Sequence, residues 1–150
     1  MGKTMLPGVE LQLTSRAGAD GKPIFYLETS AEFAALADSA QPSDYTEAFV
    51  RVLGNLHAFQ RVLHEMHGAW LSGDLEAVEA VLPRTLLGLP VVAKLLLDDR
   101  NEAWLPKILA AIERPERKLV VAGAAHLPGE QGLVARLRRV GRDVRLIPAS

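Results

Sequence analysis

The sequence predicts an α/β domain: a small, mainly parallel sheet with a C-terminal βαβ unit and a large helical insert between the first and second strands. Three observations carry this expectation. Leu119-Val120-Val121-Ala122 is a short unbroken apolar run, the pattern of a strand buried on both faces of a parallel sheet. Gly123 ends it, Leu133, Leu137 and Val140 recur at helical spacing up to Gly141, and Val144, Leu146 and Ile147 supply a return strand. Far upstream, Pro23 to Leu27 is strand-like, because Ile24, Phe25 and Tyr26 favour the pleated state.

The remaining elements follow in order. Val9 to Ala17 has helical spacing of its apolar residues and stops at the turn Gly18-Ala19-Asp20-Gly21. After the first strand, Thr29 or Ser30 caps a helix over Ala31 to Ala37, with Glu32 in its first turn. A loop from Ser39 leads to Ser43, which opens one long helix. Its Tyr45, Phe49, Val52, Leu56, Phe59, Leu63, Met66 and Trp70 form a single apolar stripe at steps of three and four. Gly73 ends that helix, and Asp74 starts a short one through Leu82. Pro83 and Pro90 punctuate the next segment, and Arg100 to Glu113 is another helix with Asn101 as its cap. In the βαβ unit, Pro128 suits a first helical turn and Glu130 the positive end of the helix dipole. The insert of roughly eighty residues is mostly helix and long enough for a parallel crossover.

At 150 residues, 49% of them apolar, the chain fits one domain with a core of its own. Its 17 basic and 18 acidic residues give a formal net charge of −1, which argues against a nucleic-acid surface. The run Arg136, Arg138, Arg139, Arg142 and Arg145 reads as the solvated face of the last helix and strand. Cysteine is absent, so any metal must use histidine and carboxylate ligands. Met1 to Pro7 has no apolar core of a signal peptide. The richest apolar stretch, Leu86 to Leu97, is too short to span a bilayer and contains Pro90 and Lys94. The expectation is a soluble chain without a membrane span, cytoplasmic as given.

His126 falls in the crevice beyond the carboxyl end of a strand, where open α/β sheets bind ligands. The neighbouring helix dipole disfavours an imidazolium there, leaving a neutral ring able to bind metal or accept a proton. Glu28 stands directly after the first strand, as His126 does after the second. If those strands are parallel neighbours, the two side chains emerge at one sheet edge within about 8 Å and could share a divalent ion or act as acid and base. The plainer reading is that Glu28 caps the next helix. Arg100, after Asp98-Asp99, reads by itself as a surface ion pair. His57, His64 and His67 fall within a sector of roughly 80° on one helix. His57 and His64 are two turns apart, about 10 Å, too far for one ion, and His64-Glu65-Met66-His67 lacks the zinc-helix spacing. These read as boundary histidines, and Trp70 and Trp104 as core or boundary aromatics.

Gly123-Ala124-Ala125-His126, with Leu127 to Leu133 behind it, resembles the C-terminal Gly-x-x-His signature of the TraB/GumN family, which includes the Tiki-type metalloproteases. Leu27-Glu28-Thr29 resembles the family's Leu-Glu-Thr strand end, Trp70-Leu71-Ser72-Gly73-Asp74 its Trp-x-x-Gly-Asp junction, and Arg100-Asn101-Glu102-Ala103-Trp104 its Arg-Asn-x-x-Trp motif. The four pieces fall in the family's order and span nearly the whole chain. The resemblance implies a metal-dependent hydrolase acting on peptides, in which a divalent metal ion polarises a carbonyl and activates water. It implies His126 as a ligand, Glu28 as ligand or base, and Arg100 holding a substrate carboxylate or orienting Glu28. It also implies an N-terminal half with an earlier Gly-Thr-x-His loop. Gly54-Asn55-Leu56-His57 has similar letters inside a helical pattern and reads as coincidence.

A catalytic metal normally has three protein ligands plus water, and only two can be named, so the chain alone is expected to be inactive or nearly so. The alternative is a non-catalytic ligand-binding or assembly domain, using the same crevice for a small ligand or haem, or an exposed sheet edge. Such an edge predicts a homo-oligomer or pairing with a missing N-terminal half.

Overall fold

The computed structural model describes residues 8–54, 56–85 and 89–147, without the Val52 side chain. Met1 to Pro7, Asn55, the start of the apolar stretch at Leu86 and the stripe position of Val52 therefore lie outside the described residues. Among the described residues the regular structure is helical and no strand forms. The expected α/β fold, with its parallel sheet and C-terminal βαβ unit, is thereby corrected. The segments at Pro23–Leu27, Leu119–Ala122 and Val144–Ile147 run without a hydrogen-bonded ladder. A strand needs a neighbour's backbone groups as well as residues that suit the pleat, and the sequence supplies only the second. Their outer side chains face solvent: Phe25 and Tyr26 are each 74% exposed and Ile147 is 88% exposed.

Helix α1 spans Val9–Ala19 and α2 spans Ser30–Ala37. Thr29 caps α2 through a reciprocal box: its hydroxyl accepts from the Glu32 N–H at 3.1 Å, and the Glu32 carboxylate accepts from the Thr29 N–H at 2.6 Å. The predicted single long helix is two, α3 at Pro42–Leu53 and α4 at Leu56–Ser72, parted at Gly54. The predicted stripe is not a buried seam either, since Tyr45, Phe49, Leu56, Leu63 and Trp70 are all exposed. The buried face of α4 is Val62 and Ala69, seven apart and so on one side of the helix. The reason lies in α5, Leu75–Val81, which folds back on α4 after Gly73 and presents Val78 and Val81. Asp74 starts α5 by accepting from the N–H groups of Glu76 and Ala77.

Helix α6, Pro90–Ala93, runs through a π-helical turn at Lys94–Asp98 into α7, Asp99–Ile112. A 3₁₀ turn at Ala124–His126 and a loop lead to α8, Leu133–Arg139, shorter than the predicted helix that opens at Pro128. The core that carries the site joins α7 to α8: Trp104, Ile108 and Leu133 are buried, with Leu27, Ala122, Leu127 and Leu137 packed against them. Leu27 and Ala122 thus anchor the ends of two extended segments, which brings Glu28 and His126 to the same helix.

Candidate functional site

The first turn and a half of α7 supplies the site's frame. Arg100 and Trp104 are one turn apart and share a face, while Asn101, Trp104 and Ile108 form the buried stripe. Arg100 meets Glu28 with two parallel N–H donors, Nε to Oε2 at 3.0 Å and Nη2 to Oε1. The Trp104 indole N–H donates to the same Oε2 at 3.1 Å. Both Glu28 oxygens are therefore engaged, and the pair is only about one-fifth exposed, at 20% and 23%. The Arg100 guanidinium also lies over two rings, 4.8 Å from the Trp104 centroid and 5.2 Å from that of Phe33 on α2. Its Nη1 donates to the Leu96 carbonyl at 3.2 Å, tying the fork to the π turn. Of the two roles the resemblance implies for Arg100, the geometry corresponds to orienting Glu28.

His126 packs against Trp104, its ring centroid 4.4 Å from the indole. The backbone reaches this point through the 3₁₀ turn, where the His126 N–H donates to Gly123 at 2.9 Å. The residue is 6% exposed. Its Nδ1 lies 2.8 Å from Oδ1 of Asn101. Asn101 is itself buried, and its Nδ2 donates to two carbonyls, Gln131 at 3.0 Å and His126 at 3.3 Å. Those two acceptors fix the amide with nitrogen toward the loop and oxygen toward the ring. A carboxamide oxygen only accepts, so Nδ1 carries the proton and Nε2 keeps its lone pair. Burial is the main cause that pushes the His126 pKa down to about 4; the Arg100 charge adds to it and the Glu28 charge opposes it. The ring is neutral at physiological pH, although the main cause is burial and not the helix dipole expected from the sequence.

Asn101 is thus not the helix cap predicted; it lies inside α7 and orients His126. The signal was present in the sequence, as one amide in the apolar stripe Asn101, Trp104 and Ile108. The loop that receives Asn101 depends on Gly132, where an added Cβ would lie 2.0 Å from the Pro128 carbonyl oxygen and 2.4 Å from that of Leu127. Arg136 holds the same loop from α8, donating to the Gln131 carbonyl at 2.8 Å and to its side-chain Oε1 at 3.0 Å. Arg138 donates to the Val144 carbonyl at 2.9 Å, and Arg139 to that of Glu130. While Arg142 and Arg145 pair with the exposed carboxylates of Glu113 and Asp143, three of the five arginines in the run, Arg136, Arg138 and Arg139, are backbone fasteners. Lys107 does the same for the other segment, reaching the Leu27 carbonyl at 2.7 Å and Glu32 at 3.0 Å.

The three histidines of α4 stay apart from this centre. His57 and His64 line an open depression with Gln60, Arg61 and Glu65, and Glu65 is held by the Arg84 fork. His67 stacks on Trp70 at 5.9 Å. Among the described residues no group of three or more histidine, aspartate or glutamate side chains is placed to hold a metal ion. No described helix is long and apolar enough to cross a membrane.

Comparison with known proteins gives a family match over almost the whole chain: the model of the TraB/PrgY/gumN family covers residues 2–146. YbaP of Escherichia coli (strain K12) is 30% identical over 131 residues, which are 87% of this chain and 48% of that protein. YbaP of Shigella flexneri matches with the same identity and coverage. The chain spans about half the length of the curated relatives it matches. No solved structure matches it.

Proposed function

This chain belongs to the TraB/PrgY/gumN family, and from that premise we propose that the His126 centre on α7 is the histidine side of a hydrolytic site acting on peptides. The observation that carries the proposal is the Asn101–His126 contact, which leaves Nε2 unprotonated in a ring kept neutral down to about pH 4. Such a nitrogen accepts a proton from an attacking water and returns it to a leaving amine. A base this weak takes the proton reluctantly and gives it back readily, so donation to the leaving group is the step it suits best. Glu28 and Arg100 act as a unit whose opposite charges bear on the ring from beside Trp104, the carboxylate favouring its protonation and the guanidinium opposing it.

A divalent ion does not fit the described residues as they stand. His126 offers one donor, both Glu28 oxygens are taken by Arg100 and Trp104, and no third ligand is near. A catalytic ion would need further ligands from outside them. The role assigned to His126 is therefore proton transfer, and hydrolysis by this chain alone is expected to be slight.

A second reading, a non-catalytic binding domain, draws on the closed state of the Glu28–Arg100 pair, in which both carboxylate oxygens are engaged. Peptide-hydrolysis assays on the full chain and on His126→Ala, with and without added divalent ions, separate the two. Weak hydrolysis that disappears in His126→Ala supports the hydrolytic reading. Hydrolysis unaffected by that substitution overturns it, and no hydrolysis together with saturable binding of a small ligand favours the second.

A further inference from the structure

We infer that Arg136 is a positioning residue for His126: by clamping the Gln131 loop from α8, it selects which way the Asn101 amide faces and so which ring nitrogen carries the proton. The inference rests on the hydrolytic reading of this centre, which needs a lone pair on Nε2.

The path runs without a break from the surface to the ring. Gln131 is exposed, Arg136 is half-buried and Asn101 is 1% exposed. Arg136 donates from Nε to the Gln131 carbonyl at 2.8 Å and from Nη2 to the Gln131 Oε1 at 3.0 Å. The same Nη2 reaches the Asp98 carbonyl at 3.5 Å, at the entry to α7. One guanidinium therefore holds the loop against the helix that carries Asn101. The Gln131 carbonyl has a second lone pair, and Asn101 Nδ2 donates to it at 3.0 Å. Asn101 Oδ1 then faces His126 Nδ1 at 2.8 Å.

The Gln131 carbonyl gives the amide its direction. An asparagine amide turned by about 180° keeps nearly the same shape, so the acceptors around Nδ2 decide between the two orientations. The other acceptor, the His126 carbonyl, is farther away at 3.3 Å. With the Gln131 carbonyl withdrawn, the amide nitrogen is free to turn toward the ring and donate to Nδ1. That nitrogen must then be unprotonated, the proton sits on Nε2, and the lone pair is lost. A charge-assisted bond is roughly twice as strong as a neutral one, which makes the guanidinium the firmest hold on this carbonyl. Arg138 stands on the same helix but holds the Val144 carbonyl instead.

Nitrogen-15 NMR of the imidazole in the full chain at neutral pH is the test. It does not depend on turnover, so this inference and the hydrolytic reading fail separately. The unmodified chain is expected to carry the proton on Nδ1. In Arg136→Met the ratio of Nδ1–H to Nε2–H rings should fall about tenfold, the scale of one hydrogen bond. Arg136→Lys should restore part of that ratio, because an ammonium reaches the carbonyl without spanning both oxygens. Arg138→Met should leave the ratio as it is. If Arg136→Met does not fold, as judged by circular dichroism, Gln131→Ala decides: it removes Oε1, half of the clamp, and should shift the ratio the same way by less. A ratio unchanged in the deciding variant overturns the inference, as does a proton already on Nε2 in the unmodified chain. An equal shift in Arg138→Met also overturns it, by placing the cause in a general loosening of α8.

Discussion

Asn101 holds His126 at both ends, donating from Nδ2 to its carbonyl at 3.3 Å while accepting from its Nδ1 at 2.8 Å. One buried amide thereby fixes the backbone turn and the ring tautomer at once. Asn101→Ala leaves Nδ1 and the Gln131 carbonyl without their partner and is expected to cost about 1–3 kcal/mol. Asn101→Asp keeps the acceptor and adds a negative charge, so the His126 pKa should rise from about 4. Nitrogen-15 NMR of the imidazole reports both changes. A tautomer unaltered in Asn101→Ala would remove the orienting role.

Stability should depend on pH through His126. Its folded pKa, about 4, lies below the ordinary 6.5, so the unfolded chain takes up the proton first. The contribution is complete above about pH 6.5 and declines as pH falls toward about 4, where the loss levels off near 3 kcal/mol. Denaturant unfolding of the chain and of His126→Gln across that window checks the sign. A slope equal in both would place the proton elsewhere.

The Glu28–Arg100 pair should behave as a unit. Arg100→Ala strands a carboxylate that is largely out of water, with an expected cost of about 3 kcal/mol. Arg100→Lys should recover little, because a single ammonium cannot match two parallel N–H donors. In a double-mutant cycle, Glu28→Gln with Arg100→Met should cost clearly less than the sum of the single changes. Additive costs would mean that the pair does not couple.

Two glycines should respond in opposite directions to alanine. At Gly132 the new Cβ would strike the Pro128 and Leu127 carbonyls, so the loop must move at a cost of about 3 kcal/mol or more. The His126 pKa should then drift back toward 6.5 as Gln131 releases Asn101. At Gly68, inside α4, an added Cβ meets nothing within 4 Å, and Gly68→Ala should stabilise by about 0.5–1 kcal/mol. Thermal melts of the two variants give the comparison.

Local signals in the sequence located the helices well where a cap marks the start, as Thr29 does for α2 and Asp74 for α5. They failed where the outcome depended on a partner. Leu119 to Ala122 announces a wish to be covered but not what covers it, and the same letters serve a strand or an exposed extended run. The stripe through Phe49 and Trp70 misled for a related reason, because periodicity gives a face but not the neighbour that selects it. At the site, position singled out His126, whereas Glu28 and Arg100 stood out through the family resemblance and not through residue type. The role of Trp104 was hidden because it arises from Glu28 and His126, distant in sequence, meeting on α7, and Asn101 left only the signal of one amide in an apolar stripe. The burial of His126 also displaces an expectation: a site governed by an ordinary histidine would fade below about pH 6.5, whereas this one should hold to about 4.

The π-helical turn at Lys94–Asp98 means that the helix leading into α7 carries one residue more than α-helical winding would hold. Five residues of a π turn, at about 82° each, sweep nearly the same angle as four α-helical residues at about 100°, so the turn absorbs the surplus and keeps α6 and α7 in phase. Were the turn rewound as α-helix with every residue kept, α6 would rotate by about 100° relative to α7. Either α6 would swing off α3, or Arg100, Asn101 and Trp104 would sweep past Glu28 and His126. Excising Leu97 would instead regularise the winding and leave both faces aimed as they are.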